Sequence, residues 1–159
     1  MDDLIIEFFA PFLIWVLYAG LVVLWFIDGK IRKEQVIHAL AAGAIAWAVT
    51  YLIKYFFPSE RPFVLNGGEV DVLIKPTNSA FPSSHTALAF SLAVTIFMHD
   101  RRAGWWYILG ALLIGIARIL ANVHYPHDIA GGAFIGTFVA VVVEKTHMFK
   151  LLERKKGRR

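Results

Sequence analysis

The sequence has no cysteine, which excludes disulfides, thiolate-bound metals and thiol nucleophiles. Charge is scarce as well: Asp, Glu, Lys and Arg make up 18% of the 159 residues, against about a quarter in ordinary soluble domains. No polar linker or low-complexity tract divides the chain, so residues 1–159 are expected to form one domain. The start, Met1-Asp2-Asp3, lacks the positive n-region of a secretory leader, and no small-residue cleavage site precedes the first long apolar segment. That segment is expected to be retained.

What is abundant is apolar. Hydrophobic residues account for 58% of the chain and mean hydropathy is +0.60, which points to a membrane protein. Five apolar stretches run over Leu4–Ile27, Val36–Phe57, Ser84–Met98, Gly104–Asn122 and His127–Val143. At 1.5 Å per residue, most can cross a hydrocarbon core about 30 Å thick. The third is short, so its outer end is expected to begin below the membrane surface. The expected fold is an all-α integral membrane bundle of five transmembrane helices.

The charges alternate by side. Lys30, Arg32 and Lys33 occupy the first break, Arg101 and Arg102 the third, and Lys150, Arg154, Lys155, Lys156, Arg158 and Arg159 the tail, whereas Asp2, Asp3 and Glu7 mark the amino terminus. By the positive-inside rule the amino terminus lies outside, the carboxyl terminus is cytoplasmic, and the second and fourth connections face outward. Trp105, Trp106 and Tyr107 are then expected in an aromatic belt at the cytoplasmic interface. The net charge of +4 reads as topology, with no nucleic-acid partner implied.

Pro58 to Pro82 is the longest connection, with a turn signal at Asn66-Gly67-Gly68 and apolar residues at Phe63–Leu65, Val70 and Val72–Ile74. It is expected to lie in the membrane interface, where it could cover a lipid head group. The second stretch is rich in small residues (Ala39, Ala41, Ala42, Gly43, Ala44, Ala46, Ala48), which favours close helix approach. Gly132-x-x-x-Gly136 has the spacing of a small-residue contact face, used for packing within the chain or, alternatively, for an oligomer.

Ionisable residues at apolar segments are costly, so each one raises a functional question. Lys54, Arg61, His85, Arg118, His124 and Asp128 all fall at the outer ends of the five stretches. Three fixed cations (Lys54, Arg61, Arg118) suit a phosphate dianion, with arginine binding as a planar fork and lysine as a point charge. Ser83 or Ser84 can cap the third helix and leave backbone amides open to an anion, and His85 in its first turn could donate a proton to a leaving oxygen. Asp128 lies four residues after His124, close enough to fix the imidazole tautomer and free the other nitrogen for attack on phosphorus. His127 has no evident partner and reads as an interfacial histidine. A metal site built from His85, His124, His127 and Asp128 is the competing reading. Three neighbouring cations would repel the ion, so no metal or other cofactor is expected.

Three motifs in order give a resemblance: Lys54-x6-Arg61-Pro62, Pro82-Ser83-Ser84-His85, and Ala117-Arg118-x5-His124-x3-Asp128. In these the chain resembles the type-2 phosphatidate phosphatase superfamily of membrane lipid phosphatases, and is closest in pattern to the bacterial undecaprenyl-diphosphate phosphatases. The resemblance covers about Val36 to Val143, the expected catalytic core. Ser84 stands where the family has glycine and Ala117 where it has serine. The family usually has six transmembrane helices, and with five apolar stretches this sequence is expected to have no counterpart of the first. The resemblance implies that His124 is the nucleophile, Asp128 orients it, His85 protonates the leaving oxygen, and Lys54, Arg61, Ser83, Ser84 and Arg118 hold the phosphate. Residue chemistry alone leaves nucleophile and acid open between His124 and His85. The implied activity is hydrolysis of the terminal phosphate of a polyprenyl diphosphate at the outer face of the plasma membrane, through a phosphohistidine. A glycerolipid phosphatase is the alternative, and a non-enzymatic lipid-binding or transport module the alternative of another class. A soluble haloperoxidase-like enzyme shares the anion site, but the five apolar stretches argue against it.

Overall fold

The computed structural model describes residues 2–27, 30–66 and 76–156, with side chains described for 12–27, 33–66 and 76–146. Among these residues every regular element is a helix: α1 (Asp2–Phe26), α2 (Lys30–Phe56), the short α3 (Pro62–Leu65), α4 (Ser84–His99), α5 (Arg101–Leu120) and α6 (Pro126–Lys156). Gly67-Gly68 of the expected turn, the apolar run Val70–Ile74 and the end of the basic tail lie outside the described residues.

α4 is the innermost helix, packed against α2, α5 and α6. Thr86, Ala87, Ala89, Ser91, Leu92, Ala93, Thr95 and Ile96 are all buried, so it meets protein on nearly every side. Around it, α1, α2, α5 and α6 turn large apolar side chains outward, among them Trp15, Trp47, Phe134 and Phe138 at 53–71% exposure. Water would not tolerate that surface, whereas lipid does, and the helices satisfy their own backbone groups. Lys33–Phe56, Arg101–Leu120 and Pro126–Thr146 are each long and apolar enough to cross a membrane. The fold is therefore an all-α, multi-pass membrane bundle with at least three spans. α4, with 16 residues, is about 24 Å long at 1.5 Å per residue, shorter than the hydrocarbon core.

Small residues set how closely the helices approach. Ala39, Ala42 and Ala46 form one fully buried stripe of α2, while Ala41, Ala44 and Ala48 on the other faces are exposed. A Cβ on Gly132 would lie 2.5 Å from the Ser83 carbonyl oxygen, and one on Gly136 would lie 2.1 Å from that of Ala87. The Gly132/Gly136 face is thus filled by α4 of the same chain. The alternative use of these glycines, contact between copies, is corrected: no surface remains there for a second chain. Gly136→Ala is expected to destabilise the bundle by about 1–3 kcal/mol through overpacking against backbone, read as a lower thermal midpoint in detergent.

Tyr107 is a second correction. Trp105 and Trp106 are exposed at 63% and 74%, as a belt requires, but Tyr107 is only 7% exposed. One further step around α5 turns it inward, where its hydroxyl donates to the Leu17 carbonyl at 3.0 Å and ties α5 to α1. The corner between α4 and α5 is tight because Asp100 caps α5, accepting from the Arg102 and Ala103 amides at 2.9 and 3.2 Å.

Candidate active site

The ends of all the central helices meet the connections at one end of the bundle, and the motif residues are found there. Lys54 lies in the last turn of α2, Arg61 immediately precedes α3, Ser83 caps α4, and Arg118 lies in the last turn of α5. The turn from α5 to α6 carries His124, and Asp128 is in the first turn of α6. Asn122 has φ 53°, in the left-handed region that asparagine tolerates better than most residues. That reversal lets the chain leave α5 and enter α6 within five residues. Pro126 opens α6 at a position that has no helical partner for a backbone donor.

His124 is held at both ring nitrogens. Its Nδ1 is 3.3 Å from Asp128 Oδ2 and its Nε2 is 3.3 Å from Arg61 Nη1. A carboxylate only accepts and a guanidinium only donates, so Nδ1 carries the hydrogen and Nε2 carries the lone pair. Asp128 is fully buried, accepts the Tyr125 amide through the same Oδ2 at 2.8 Å, and its carbonyl accepts the Ser83 amide at 3.0 Å. α6 is thereby locked to the start of α4. His127, expected to lack a partner, stacks on Tyr125 with ring centroids 5.3 Å apart. Its Nε2 lies 3.2 Å from Asp128 Oδ1, at an angle that leaves Oδ1 without a hydrogen bond.

The cations are buried, with Lys54, Arg61 and Arg118 at 8%, 4% and 7% exposure. Lys54 Nζ donates to the carbonyls of Ser79 and Ala80. Arg61 uses all five N–H groups: on the Asn78 carbonyl and side-chain oxygen, the Ser79 and Val123 carbonyls, and His124 Nε2. Arg118 Nε is buried without a partner. Ser83 Oγ caps α4 by accepting the Thr86 amide, and helix geometry leaves the amides of Ser84 and His85 without intrahelical acceptors. His85, half-buried, lies within the electrostatic reach of Arg118, His124, Arg61 and Lys54. A cavity of about 680 Å³ reaches from Lys54 and Arg61 out past Ser59, Phe63, Pro76 and Asn78.

Residues that the motifs omit complete the scaffold. Ser59 and Ser79 share a hydrogen bond at 2.9 Å and clasp the segment after α2 to the segment before α4. Asn78 Oδ1 accepts from Arg61 Nη2 at 2.7 Å. The one sequence signal for Asn78 and Ser79 was the need of buried cations for acceptors, which does not name a donor's partner. The two motif departures are also accounted for. Ala117 packs on the apolar cluster of Phe63, Ala121 and Val123, and the Ser84 hydroxyl is engaged by Thr50 Oγ1 at 2.9 Å.

Burial holds the His124 imidazole down at about 4, helped by Arg61, Arg118 and Lys54 and opposed by its bond to Asp128. The proton is lost more easily than from free imidazole, so the lone pair persists through neutral pH. If Nε2 attacks phosphorus, kcat/KM is expected to hold down to about pH 4 and then fall tenfold per unit. An acid limb near the ordinary histidine value of about 6.5 would show that another group controls it.

The competing reading, a metal held by His85, His124, His127 and Asp128, does not suit this geometry: His124 Nε2 faces the Arg61 guanidinium at 3.3 Å, a cation that would repel the ion, and Asp128 Oδ2 already receives His124 Nδ1 and the Tyr125 amide. Among the described residues, the group of three side chains that could hold a metal ion is His38, His99 and Glu144, at the other end of the bundle.

Comparison with known proteins agrees with this arrangement. The family model of the PAP2 superfamily matches residues 35–151. The bacitracin transport permease protein BcrC of Bacillus licheniformis is 31% identical, over 87% of this chain and 68% of its own length. The undecaprenyl-diphosphatase BcrC of Bacillus subtilis is 28% identical, over 86% of this chain and 70% of its own. The crystal structure of Aquifex aeolicus LpxE superposes with a TM-score of 0.72 at 31% identity, covering 90% of this chain and 85% of that one. With the motifs in order, the helices in place and the match running from α2 through most of α6, the chain belongs to the PAP2 superfamily and is a membrane lipid phosphatase of that type.

Proposed function

We propose that the protein hydrolyses the terminal phosphate of a polyprenyl diphosphate, of the undecaprenyl kind, through a phosphohistidine on His124. The observation that carries this reading is the charge of the pocket. Among the buried groups there, three cations face one carboxylate, Asp128, an excess of two positive charges that complements a phosphate dianion, while the Glu60 that also lines the cavity is exposed; Arg118 Nε stands unpaired among the buried cations. The relatives named undecaprenyl-diphosphatase supply the substrate class.

In this mechanism Lys54, Arg61, Arg118, the Ser83 hydroxyl and the amides at the start of α4 hold the terminal phosphate. His124 Nε2 forms a bond to phosphorus as the bridging oxygen departs, and His85 gives that oxygen its proton. Asp128 balances the charge gained by the imidazole. Water then attacks the phosphohistidine, losing its proton to His85, and inorganic phosphate is released. The residues convey charge and protons without a metal at the phosphate. Residues 1–159 act as one domain, with the catalytic core at about 36–143.

Five spans with the site facing outward complete the proposal. Arg101 and Arg102, at the end of the bundle opposite His124, support that orientation by the positive-inside rule. Because the chain has no cysteine, single cysteines at the exposed positions Thr77 and Arg102 report sidedness when a membrane-impermeant thiol reagent is added to intact cells. Thr77→Cys is expected to react and Arg102→Cys to be protected.

The substrate class is tested by phosphate release from a panel of polyprenyl diphosphates, phosphatidate and phosphatidylglycerophosphate. Faster turnover of either glycerolipid would overturn the polyprenyl assignment. A transport role is a second reading, prompted by the name of the Bacillus licheniformis relative. It requires lipid movement without phosphate release, and the same assay excludes it once inorganic phosphate appears.

A further inference from the structure

Opposite the phosphate pocket lies a second cluster of ionisable side chains. His38 on α2, His99 at the end of α4 and Glu144 on α6 place one ligand atom each within 4.8 Å of one another. Glu144 is sixteen residues beyond Asp128 on α6, about 24 Å away along the helix axis. The same separation divides His38 from Lys54 on α2, and His99 lies nearly as far from His85 on α4. Three of the helices that build one site therefore each contribute a side chain to the other.

We propose that His38, His99 and Glu144 bind a divalent transition-metal ion such as zinc. His99 Nδ1 is 3.0 Å from the Thr95 carbonyl, which only accepts, so Nδ1 must carry the hydrogen. His99 Nε2 is then the nitrogen that faces Glu144 Oε2, 3.7 Å away. That pairing calls for a positive centre between the two, supplied by a metal ion or by a proton. Glu144 Oε1 meets His38 Nδ1 at 3.0 Å, so one carboxylate stands between two imidazoles. The three side chains are only 11–20% exposed. In a tetrahedral zinc site with bonds of about 2.0–2.1 Å, ligand atoms sit roughly 3.3 Å apart; the two observed separations, each to a different oxygen of Glu144, lie on either side of that value, and the three ligand atoms need draw together only from within 4.8 Å. Two imidazoles and a carboxylate are ligands that zinc accepts, with water completing the shell. The backbone carbonyl behind His99 supplies the outer hydrogen bond that metal-binding imidazoles usually make. Such an ion would staple α2, α4 and α6 far from the reacting phosphate, with no part in the chemistry there.

The test uses the untagged full chain in detergent, stripped with a chelator and reloaded with zinc or cobalt. One zinc per chain, a visible cobalt absorbance band, and a rise in thermal midpoint of about 5 °C or more at a hundredfold excess of metal over Kd are expected. Glu144→Gln and His99→Ala should lose all three signals while retaining phosphate release, and His124→Ala should keep them. Stripped protein should still release phosphate well below its thermal midpoint, which separates this site from the phosphate pocket. Zinc content equal in the wild type and both far-end variants, or loss of zinc in His124→Ala, overturns the proposal. In the first of those outcomes a proton alone joins Glu144 to its histidines.

Discussion

His124→Ala is expected to reduce phosphate release from every lipid phosphate by about 10⁴-fold or more, the scale seen when a covalent nucleophile is removed. In the proposed mechanism the substitution deletes the attacking lone pair, and with it go the ring's contacts to Asp128 Oδ2 and Arg61 Nη1. Asp128 keeps the Tyr125 amide, and its carbonyl keeps the Ser83 amide, so the bundle should stay folded with a lowered thermal midpoint, as for other large-to-small changes at buried positions. Wild-type protein quenched during turnover should carry acid-labile phosphate, and the variant should carry none. Turnover within tenfold of wild type would sink the phosphohistidine mechanism. Loss of turnover with phosphate still bound covalently would move the nucleophile to another residue, with His85 the first to examine.

Asp128→Asn is expected to lower kcat by roughly 10³–10⁴-fold, because an orienting carboxylate replaced by its amide favours the wrong imidazole tautomer. The geometry gives the reason. Asp128 Oδ2 receives both His124 Nδ1 and the Tyr125 amide, and an amide group offers only one oxygen. If that oxygen keeps the two donors, the new NH₂ replaces Oδ1 and the negative charge is lost. If the group flips, NH₂ meets two donors and the imidazole must turn. KM should change less than kcat, since the phosphate is held by other residues, and a variant with KM raised and kcat intact would place Asp128 in substrate binding instead. His124→Ala combined with Asp128→Asn should be no slower than His124→Ala alone, because the carboxylate acts through the imidazole.

Much of this arrangement was legible in the sequence because bilayer physics writes in long runs. A helix that crosses lipid needs an unbroken apolar stretch, so the five stretches locate α1, α2, α4, α5 and α6, although α2 begins before its stretch at Lys30 and α6 runs on past its own to Lys156. The ionisable residues stood out against that background, and the i, i+4 spacing of His124 and Asp128 already implied their contact. What could not be read is set by contacts remote in sequence. His38 meets Glu144 across 106 residues, and no spacing rule links them. Arg61 rests on backbone carbonyls, and every residue has a carbonyl, so the identity of its neighbours carries no signal. Asn122 only closes the fourth apolar stretch in the sequence, and nothing there marks its conformation. Its positive φ follows from the need to turn from α5 into α6 within a few residues. Tyr107 belonged by composition to an interfacial cluster, and only the phase of α5 against α1 shows that it points inward.

The saturation of Arg61 has a consequence for how a ligand arrives. In the resting protein the peptide oxygens of Asn78, Ser79 and Val123, with the imidazole, serve as the guanidinium's stand-in anion. If Arg61 holds the phosphate as proposed, the incoming group must evict a resident, exchanging neutral acceptors for charged ones at the same donors. That exchange favours a doubly charged oxyanion over a neutral lipid head group, so selection against uncharged lipids would need no steric gate.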